Sequence, residues 1–358
     1  MNSHHYALIL AGGRGTRFWP RSRKRSSKQV LNVVGRCTLI QAAVERLAPL
    51  IPPERIWVLT NGHLRDTVVE QLPEVPADQI LAEPAQRNTA PAIGLAAHIL
   101  RSIDAEAVMG VFPADHVVAK PAGYRAAVRA ALKGAETGKL MVVGIQPRWP
   151  ETGYGYVEFP RGTEPGGRRP VPVKRFREKP ELAKARRYVT AGNYYWNSGM
   201  FFWRADVLLD ELRLRLPKTA TLLAALPPFQ NPDFTARLKH SFPLCENISI
   251  DYAVLEKAKN VAGIPAGDFG WNDVGSWNAV YELMSHDARG NAVAPHVVCL
   301  DSHDNLVDAG GKMVALLGVR NLIVVDTPDA LLVVGRDHAQ RVGDVVKALE
   351  KLKRDDLL

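Results

Sequence analysis

The segment Ala7-Leu8-Ile9-Leu10-Ala11-Gly12-Gly13-Arg14-Gly15-Thr16-Arg17 joins four apolar residues directly to a glycine-rich turn. A short apolar run bounded by turn formers reads as a buried strand. Glycines immediately after it let backbone N–H groups approach phosphate oxygens with no side chain in the way. Two well-known phosphate loops do not fit. A P-loop ends in Gly-Lys-Ser/Thr, which this turn lacks. A dinucleotide-binding turn needs a third glycine opening a helix at once and an acid ~20 residues further on, whereas basic residues and Trp19-Pro20 follow here. Arg14, Arg17, Arg21, Arg23, Lys24, Arg25 and Lys28 lie close together with no acid among them. Threaded through a glycine turn, that charge suits a compact polyanion such as a triphosphate, while Arg21 to Arg25 also read as a solvated face.

Outward from this strand the pattern repeats. Ile56–Thr60, Ile80–Ala82, Val108–Phe112 and Leu140–Ile145 read as further buried strands. Between them Leu39–Leu47, Leu64–Leu72, Pro91–Ile103 and Tyr124–Thr137 have helical spacing, with Thr89 as a cap ahead of Pro91. Strand–helix alternation predicts an α/β doubly wound, mostly parallel sheet covered on both faces, with ligands at the carboxyl ends of its strands. From about Gln146 to Asn291 turns multiply, and helical stretches recur near Ala205–Leu216 and Tyr252–Lys259. This part should finish the sheet and build a substrate pocket. After Ala292 short β-rich runs (Val297–Leu300, Met313–Leu317, Leu322–Val325, Leu331–Val334) follow one another without helices, as in a few coils of a β-helix. A last helix, Gln340–Lys353, aligns Val342, Val345, Val346, Leu349 and Leu352 on one stripe, to dock on the body or on a second subunit. The expected division is a large domain over 1–291 and a small β-helix-like module with a terminal helix over 292–358.

A chain of 358 residues with 46% hydrophobic and 23% charged residues can bury one large core and a smaller one. No apolar run approaches the ~20 residues of a membrane span, and the polar start, Met1 to Tyr6, does not read as a secretory signal. Cys37, Cys245 and Cys299 are odd in number and far apart, fitting neither a metal site nor a disulfide framework. They read as three ordinary thiols in a reducing, cytoplasmic compartment. The net charge of +9 raises nucleic acid as a partner. No stacking platform or DNA-binding motif accompanies it, so neither nucleic acid nor membrane is expected.

The extended segment Leu10 to Arg23, followed by Lys28-Gln29, resembles the signature of sugar-1-phosphate nucleotidyltransferases. Trp19-Pro20 and Ser22-Arg23 resemble the mannose-1-phosphate guanylyltransferase branch. Further segments match in the family's order along nearly the whole chain: Phe112 to His116, Thr152 to Tyr156, Phe176 to Pro180, Trp196 to Met200, Ile248 to Tyr252 and Gly270 to Ser276. One departure is Ser27, where the family usually has proline before Lys-Gln. It loosens the loop but removes no charge. The resemblance implies a Rossmann-like doubly wound mixed sheet with a small C-terminal β-rich module. It also implies transfer of GMP from GTP to α-D-mannose 1-phosphate, giving GDP-mannose and pyrophosphate, with Mg²⁺. Some relatives carry a following isomerase domain; the chain reaches only Leu358, so a single activity is expected, in a possible homodimer.

In such a reaction two polyanions meet, so charge neutralisation and in-line positioning are the difficulty. By resemblance, Arg17 and Lys28 hold the triphosphate, and Asp115 and Asp273 hold the metal that bridges both substrates; otherwise Asp115 reads as an N-cap and Asp273 as a turn residue. The Gly12 to Gly15 amides would add neutral donors with Arg14 a further contact, and Ala11, Gly12, Gly13, Gly15 and Thr16 all belong to the nucleotide-binding set. Guanine presents two adjacent donors, N1–H and the 2-amino group, which an acceptor-only carboxylate matches. Glu83, ending the third strand near Asn88 and Thr89, is the candidate reader, with a surface ion pair as its other reading. On the sugar side Lys179 suits the hexose phosphate, and Glu178, Asn197 and Asp251 the ring hydroxyls. The Gly153 turn permits close backbone approach. His116 reads as a structural neighbour. Two alternatives stay open: a UTP- or dTTP-dependent enzyme acting on glucose 1-phosphate, and a non-catalytic regulatory relative that binds sugar nucleotide.

Overall fold

A computed structural model describes residues 2–358. The strands of the main sheet begin with β1 (His5–Leu10), β2 (Ile56–Asn61), β3 (Ile80–Glu83) and β4 (Val108–Pro113). After a two-residue β5 (Val117–Val118) come β6 (Leu140–Ile145), β7 (Tyr156–Glu158), β8 (Val171–Pro172), β9 (Arg175–Arg177), β10 (Tyr194–Arg204) and β11 (Val261–Ala266). The order β3-β2-β1-β4-β10-β6-β11-β8, with β7 and β9 added beside β10, makes a ten-stranded sheet. β1 pairs parallel with β2 and β4, and β2 with β3. The mixed character comes from β10, antiparallel to both β4 and β6.

Both faces of the sheet are covered, as alternation along β1 shows. Ala7 and Ile9 enter one core with Ile40, Val44 and Val128, whereas Leu8 enters the other with Ile93, Leu95 and Leu208. Helix α1 (Leu39–Leu47) starts at a Thr38–Gln41 capping box, which satisfies two of its free amide groups. After α2 (Arg65–Gln71) comes α3 (Thr89–Ile103), which is capped by Asn88 and not, as expected, by Thr89. The Asn88 side chain accepts from Thr89 N at 2.9 Å, while Thr89 Oγ1 accepts from Ile250 N. α4 (Pro121–Ala135) opens on the proline that its first turn tolerates.

The region from Gln146 to Asn291 departs most from its reading. It contributes β10, an eleven-residue strand in the middle of the sheet. The helical stretch expected over Tyr252–Lys259 is a five-residue π-type turn, Asp251–Leu255. Additional helices form at Leu182–Ala191, Pro217–Ala224 and Phe234–Ser241.

β12 (Trp271–Asn272) pairs with β5 and carries the chain to the C-terminal part. There β13 (Val297–Leu300) pairs parallel with β15 (Val314–Leu317), and β14 (Leu306–Asp308) with β16 (Leu322–Asp326). Val297 faces Val314 and Leu306 faces Ile323, so two coils stack in register, and β17 (Leu331–Gly335) closes them antiparallel. Buried asparagines tie the coils: Asn305 Nδ2 donates to Asn291 Oδ1, and Asn305 Oδ1 accepts from Leu322 N. The last helix spans Val342–Lys351, preceded by a 3-10 turn; Val342 and Val346 are buried, but Leu352 is 71% exposed and lies off the stripe expected to include it.

Only part of the basic run is a solvated face: Lys24 and Arg25 are exposed, whereas Arg21 and Arg23 are partly buried against the C-terminal part. Arg21 pairs with Asp308, Arg23 with Asp329 at 3.0 Å and Lys24 with Asp355 at 3.0 Å. Phe18 and Trp19 are buried in one cluster with Val274, Trp277, Ile323, Val325, Val342 and Val346. The glycine turn therefore rests on the C-terminal β module.

Candidate active site

β1 delivers its glycine turn to the carboxyl edge of the sheet, beside the ends of β3 and β4. Lys28 occupies the centre. Its Nζ donates to Asp115 Oδ2 at 2.9 Å and to the Asp273 carbonyl at 2.7 Å, and it lies 5.3 Å from the Phe18 ring centroid. Asp115 comes from the turn after β4 and Asp273 from the turn after β12, so three distant segments converge on one ammonium. Burial pushes Asp115 upward, but the charge and hydrogen bond of Lys28 hold it below the usual carboxylate range. Burial raises Asp273, opposed by a hydrogen bond from Tyr154 and by Lys28. Arg17 Nη1 donates to Gly275 O at 3.3 Å, placing the guanidinium against the Asp273 turn.

Two residues that lie in the sequence motifs but were given no site role there organise this centre. The Tyr154 hydroxyl donates to Asp273 Oδ1 at 2.6 Å; burial, with the Asp273 charge, raises its pKa and keeps it a donor. Trp271 Nε1 donates to His116 Nδ1 at 3.2 Å. Burial lowers His116 to about 4, so the neutral ring is the acceptor and His116 is a structural neighbour of Asp115. Tyr154 packs edge-on against Trp271 and Trp196. Thr152 to Tyr156 and Gly270 to Ser276 stood out as motifs, but their pairing across 119 residues had no signal in the sequence.

A cavity of about 550 Å³ opens beside Asp115, lined by Gly12, Gly13, Arg14, Glu83, Asn88 and Thr89 among others. Burial alone pushes the Glu83 carboxyl up to about 7. Its Oε2 would lie 3.2 Å from a Cβ at Gly12, so the missing side chain keeps the loop and the carboxyl adjacent. Ala11 is fully buried, and its N–H is taken by Leu59 O at 2.8 Å, so it offers no amide donor. Arg14 Nη2 meets Glu350 of the last helix at 2.7 Å, an ion pair the sequence did not suggest. A larger cavity of about 770 Å³ adjoins through Arg14, Glu83 and Gln86, walled on its far side by Val346, Glu350 and Leu358. Gly15, Thr16 and Arg17 border the space around Lys28, Asp115 and Asp273.

On the other side of Asp273 a cleft holds Gly153, Tyr154 and Lys179. Lys179 Nζ lies 3.2 Å from Glu178 Oε1. Asn197 donates its N–H to Gly155 O at 2.8 Å and its Nδ2 to Asp251 Oδ1 at 3.0 Å. Burial, reinforced by the Asp251 charge, pushes Glu178 up to about 7 against the pull of Lys179. Burial raises Asp251 as well. Glu178 Oε2 is buried with no hydrogen-bond partner among the described residues, and it sits where a side chain at Gly155 would collide. Glu178, Lys179, Asn197 and Asp251 thus form one cluster, joined to the Lys28 centre through the Tyr154–Asp273 turn.

Known proteins share both parts of this architecture. Residues 6–290 match the family described as nucleotidyl transferase, and residues 295–349 the MannoseP isomerase/GMP-like beta-helix domain. The chain is 41% identical over 353 residues to the xanthan biosynthesis protein XanB of Xanthomonas campestris pv. campestris (strain B100), covering 98% of this chain and 74% of the relative. It is 40% identical over 359 residues to the mannose-1-phosphate guanylyltransferase of Escherichia coli (strain K12), with the same coverage of 98% and 74%. The crystal structure of a Thermus thermophilus protein described as mannose-1-phosphate geranyltransferase superposes with a TM-score of 0.85 at 37% identity, over 97% of this chain and 99% of that one. Similarity at this level over almost the full length means that the chain belongs to the nucleotidyl transferase family, in its mannose-1-phosphate guanylyltransferase group.

Proposed function

We propose that the protein transfers GMP from GTP to α-D-mannose 1-phosphate, releasing pyrophosphate, with Mg²⁺ held by Asp115 and Asp273. The observation that carries the reading is the position of Lys28. Its ammonium stands at one junction, bonded to a carboxylate of the nucleotide cavity and to the backbone of a turn leading to the sugar cleft. Relatives named for this activity support the choice of base and sugar.

In the proposed step an oxygen of mannose 1-phosphate attacks the α-phosphorus as the bond from that phosphorus to the bridging oxygen of pyrophosphate breaks. The phosphate monoester is already ionised near neutral pH, so no general base is required. Lys28 and Arg17 neutralise the triphosphate, and the amides of the glycine turn add neutral donors. Glu83 accepts from guanine N1–H and the 2-amino group. Lys179 holds the sugar phosphate, and the unpartnered Glu178 Oε2 takes a ring hydroxyl together with Asn197 and Asp251. Arg14 reaches phosphate only after exchanging Glu350 for it.

The donor set suits the ion: two carboxylates supply hard oxygen ligands, and the substrate phosphates would supply more. A dication would offset the burial that raises Asp273. Bound there, Mg²⁺ would supply charge to both phosphates and fix their relative orientation.

We place the protein in the cytoplasm. Its three cysteines are free thiols, and no helix among the described residues is long and apolar enough to cross a membrane. A homodimer could use Val298, Leu300 and Leu317, which are exposed on one face of β13 and β15. Pyrophosphate release across a grid of four nucleoside triphosphates and several hexose 1-phosphates, with Mg²⁺ and with chelator, tests the reading. Maximal release with UTP and glucose 1-phosphate, or none with any pair, overturns it.

A further inference from the structure

The glycine turn has two backbone carbonyls captured by buried side chains. Gln29 Nε2 donates to Gly13 O at 3.0 Å, and Ser22 Oγ donates to Arg14 O at 3.1 Å. Ser22, Ser27 and Gln29 are 4%, 2% and 4% exposed, so solvent does not compete for these bonds. Ser27 Oγ donates to Gln29 Oε1 at 2.5 Å, which fixes the Gln29 amide with its nitrogen toward Gly13. A trans peptide is planar, with its N–H opposite its C=O. Holding Gly13 O on Gln29 therefore turns the Arg14 N–H away from Gln29, and holding Arg14 O on Ser22 turns the Gly15 N–H away from Ser22. The backbone N–H groups of Gly12, Gly13, Arg14 and Gly15 have no hydrogen-bond partner among the described residues. Gly15 has φ +59, and a Cβ there would lie 2.8 Å from both Ser22 Oγ and Lys28 Cβ, so no larger residue fits between the Ser22 bond and Lys28.

We infer that Ser22 and the Ser27–Gln29 pair are positioning residues: they clamp the carbonyls of the turn so that its amides stay turned outward as donors for the triphosphate. This rests on the nucleotidyl-transfer reading above. A peptide free to flip would present a carbonyl lone pair to phosphate in place of a donor, so the clamps decide whether the turn attracts or repels the polyanion. Ser27 has a direct part. Proline, which the resemblance places at this position, has no hydroxyl to hold Gln29.

The test compares Gln29→Met, which keeps length and burial but lacks the donor, with Ser22→Ala and Ser27→Ala. Binding of pyrophosphate and of guanosine is measured by calorimetry, alongside the KM for mannose 1-phosphate. Pyrophosphate affinity should fall about tenfold in Gln29→Met and about threefold in each serine variant. Guanosine affinity and the sugar-phosphate KM should stay within about twofold, because neither uses the turn amides. Pyrophosphate affinity unchanged in Gln29→Met and Ser22→Ala, with the parent binding GTP normally, overturns the clamp and leaves the proposed function standing. Equal weakening of guanosine and pyrophosphate also overturns it, since the side chains then merely hold the pocket together. A parent protein that binds neither GTP nor pyrophosphate overturns the clamp and the proposed function together.

Discussion

The two sides of the proposed site, one for nucleotide and one for sugar, are built by opposite means. The nucleotide side is a backbone device: a glycine turn whose carbonyls are captured by Ser22 and Gln29 and whose cations, Arg17 and Lys28, lie within the same short stretch. The sugar side is a side-chain device: Glu178, Asn197 and Asp251 come from separate segments, and both carboxyls, Glu178 and Asp251, are raised above their ordinary range. A triphosphate is recognised by charge and amide donors, which one loop can supply. A hexose is recognised by hydroxyls at several angles, which need side chains converging from several elements. Lys28 and the Tyr154–Asp273 turn join the two.

The largest effect should come from breaking that junction. Lys28→Met keeps the buried stem but removes the charge shared by Asp115 and the Asp273 turn. Turnover should fall about a thousandfold, measured as pyrophosphate release at saturating substrates. A loss under tenfold would show that the two sides work without their common cation. The next effect belongs to the sugar side alone. Lys179→Ala should raise the KM for mannose 1-phosphate about thirtyfold while the KM for GTP stays within about twofold. A matched rise in both constants would mean that Lys179 serves the triphosphate instead.

The same contrast explains what the sequence made legible. The glycine turn, its cations and the strand before it are contiguous, so the nucleotide side could be read from one segment. The sugar side emerged only as an ordered set of motifs, and its contacts link residues such as Asn197 and Asp251, or Tyr154 and Asp273, far apart in the chain. β10 escaped the periodicity reading because Asn197, Ser198 and Gly199 interrupt its apolar pattern at a register shift between Asn197 and Phe201. The pairing of Arg21, Arg23 and Lys24 was hidden because their partners, Asp308, Asp329 and Asp355, lie near the other end of the sequence. Local charge density pointed to a polyanion site but could not show which cations were already paired.

The smallest effect expected on turnover concerns Glu83, where the nucleotide side uses a carboxyl in the manner of the sugar side. Burial pushes this group up to about 7, so the folded protein retains a proton that the unfolded chain releases near 4.5. Stability carried by the protonated carboxyl is complete below the unfolded value and is lost as pH rises through about 7. Above that range the loss approaches about 3 kcal/mol. Guanine has the opposite preference, because its two donors need the carboxylate. GTP should therefore bind more tightly as pH rises through about 7, releasing a proton on binding, while the ligand-free protein melts progressively lower. Glu83→Gln should flatten both trends and reduce the preference for GTP over UTP about tenfold. Calorimetry in two buffers of different ionisation enthalpy measures the released proton, and melting curves from pH 5 to pH 9 measure the stability trend. An unchanged base preference in Glu83→Gln, with the proton release intact, would move guanine recognition to another part of the cavity and leave the turn as the whole of the nucleotide side.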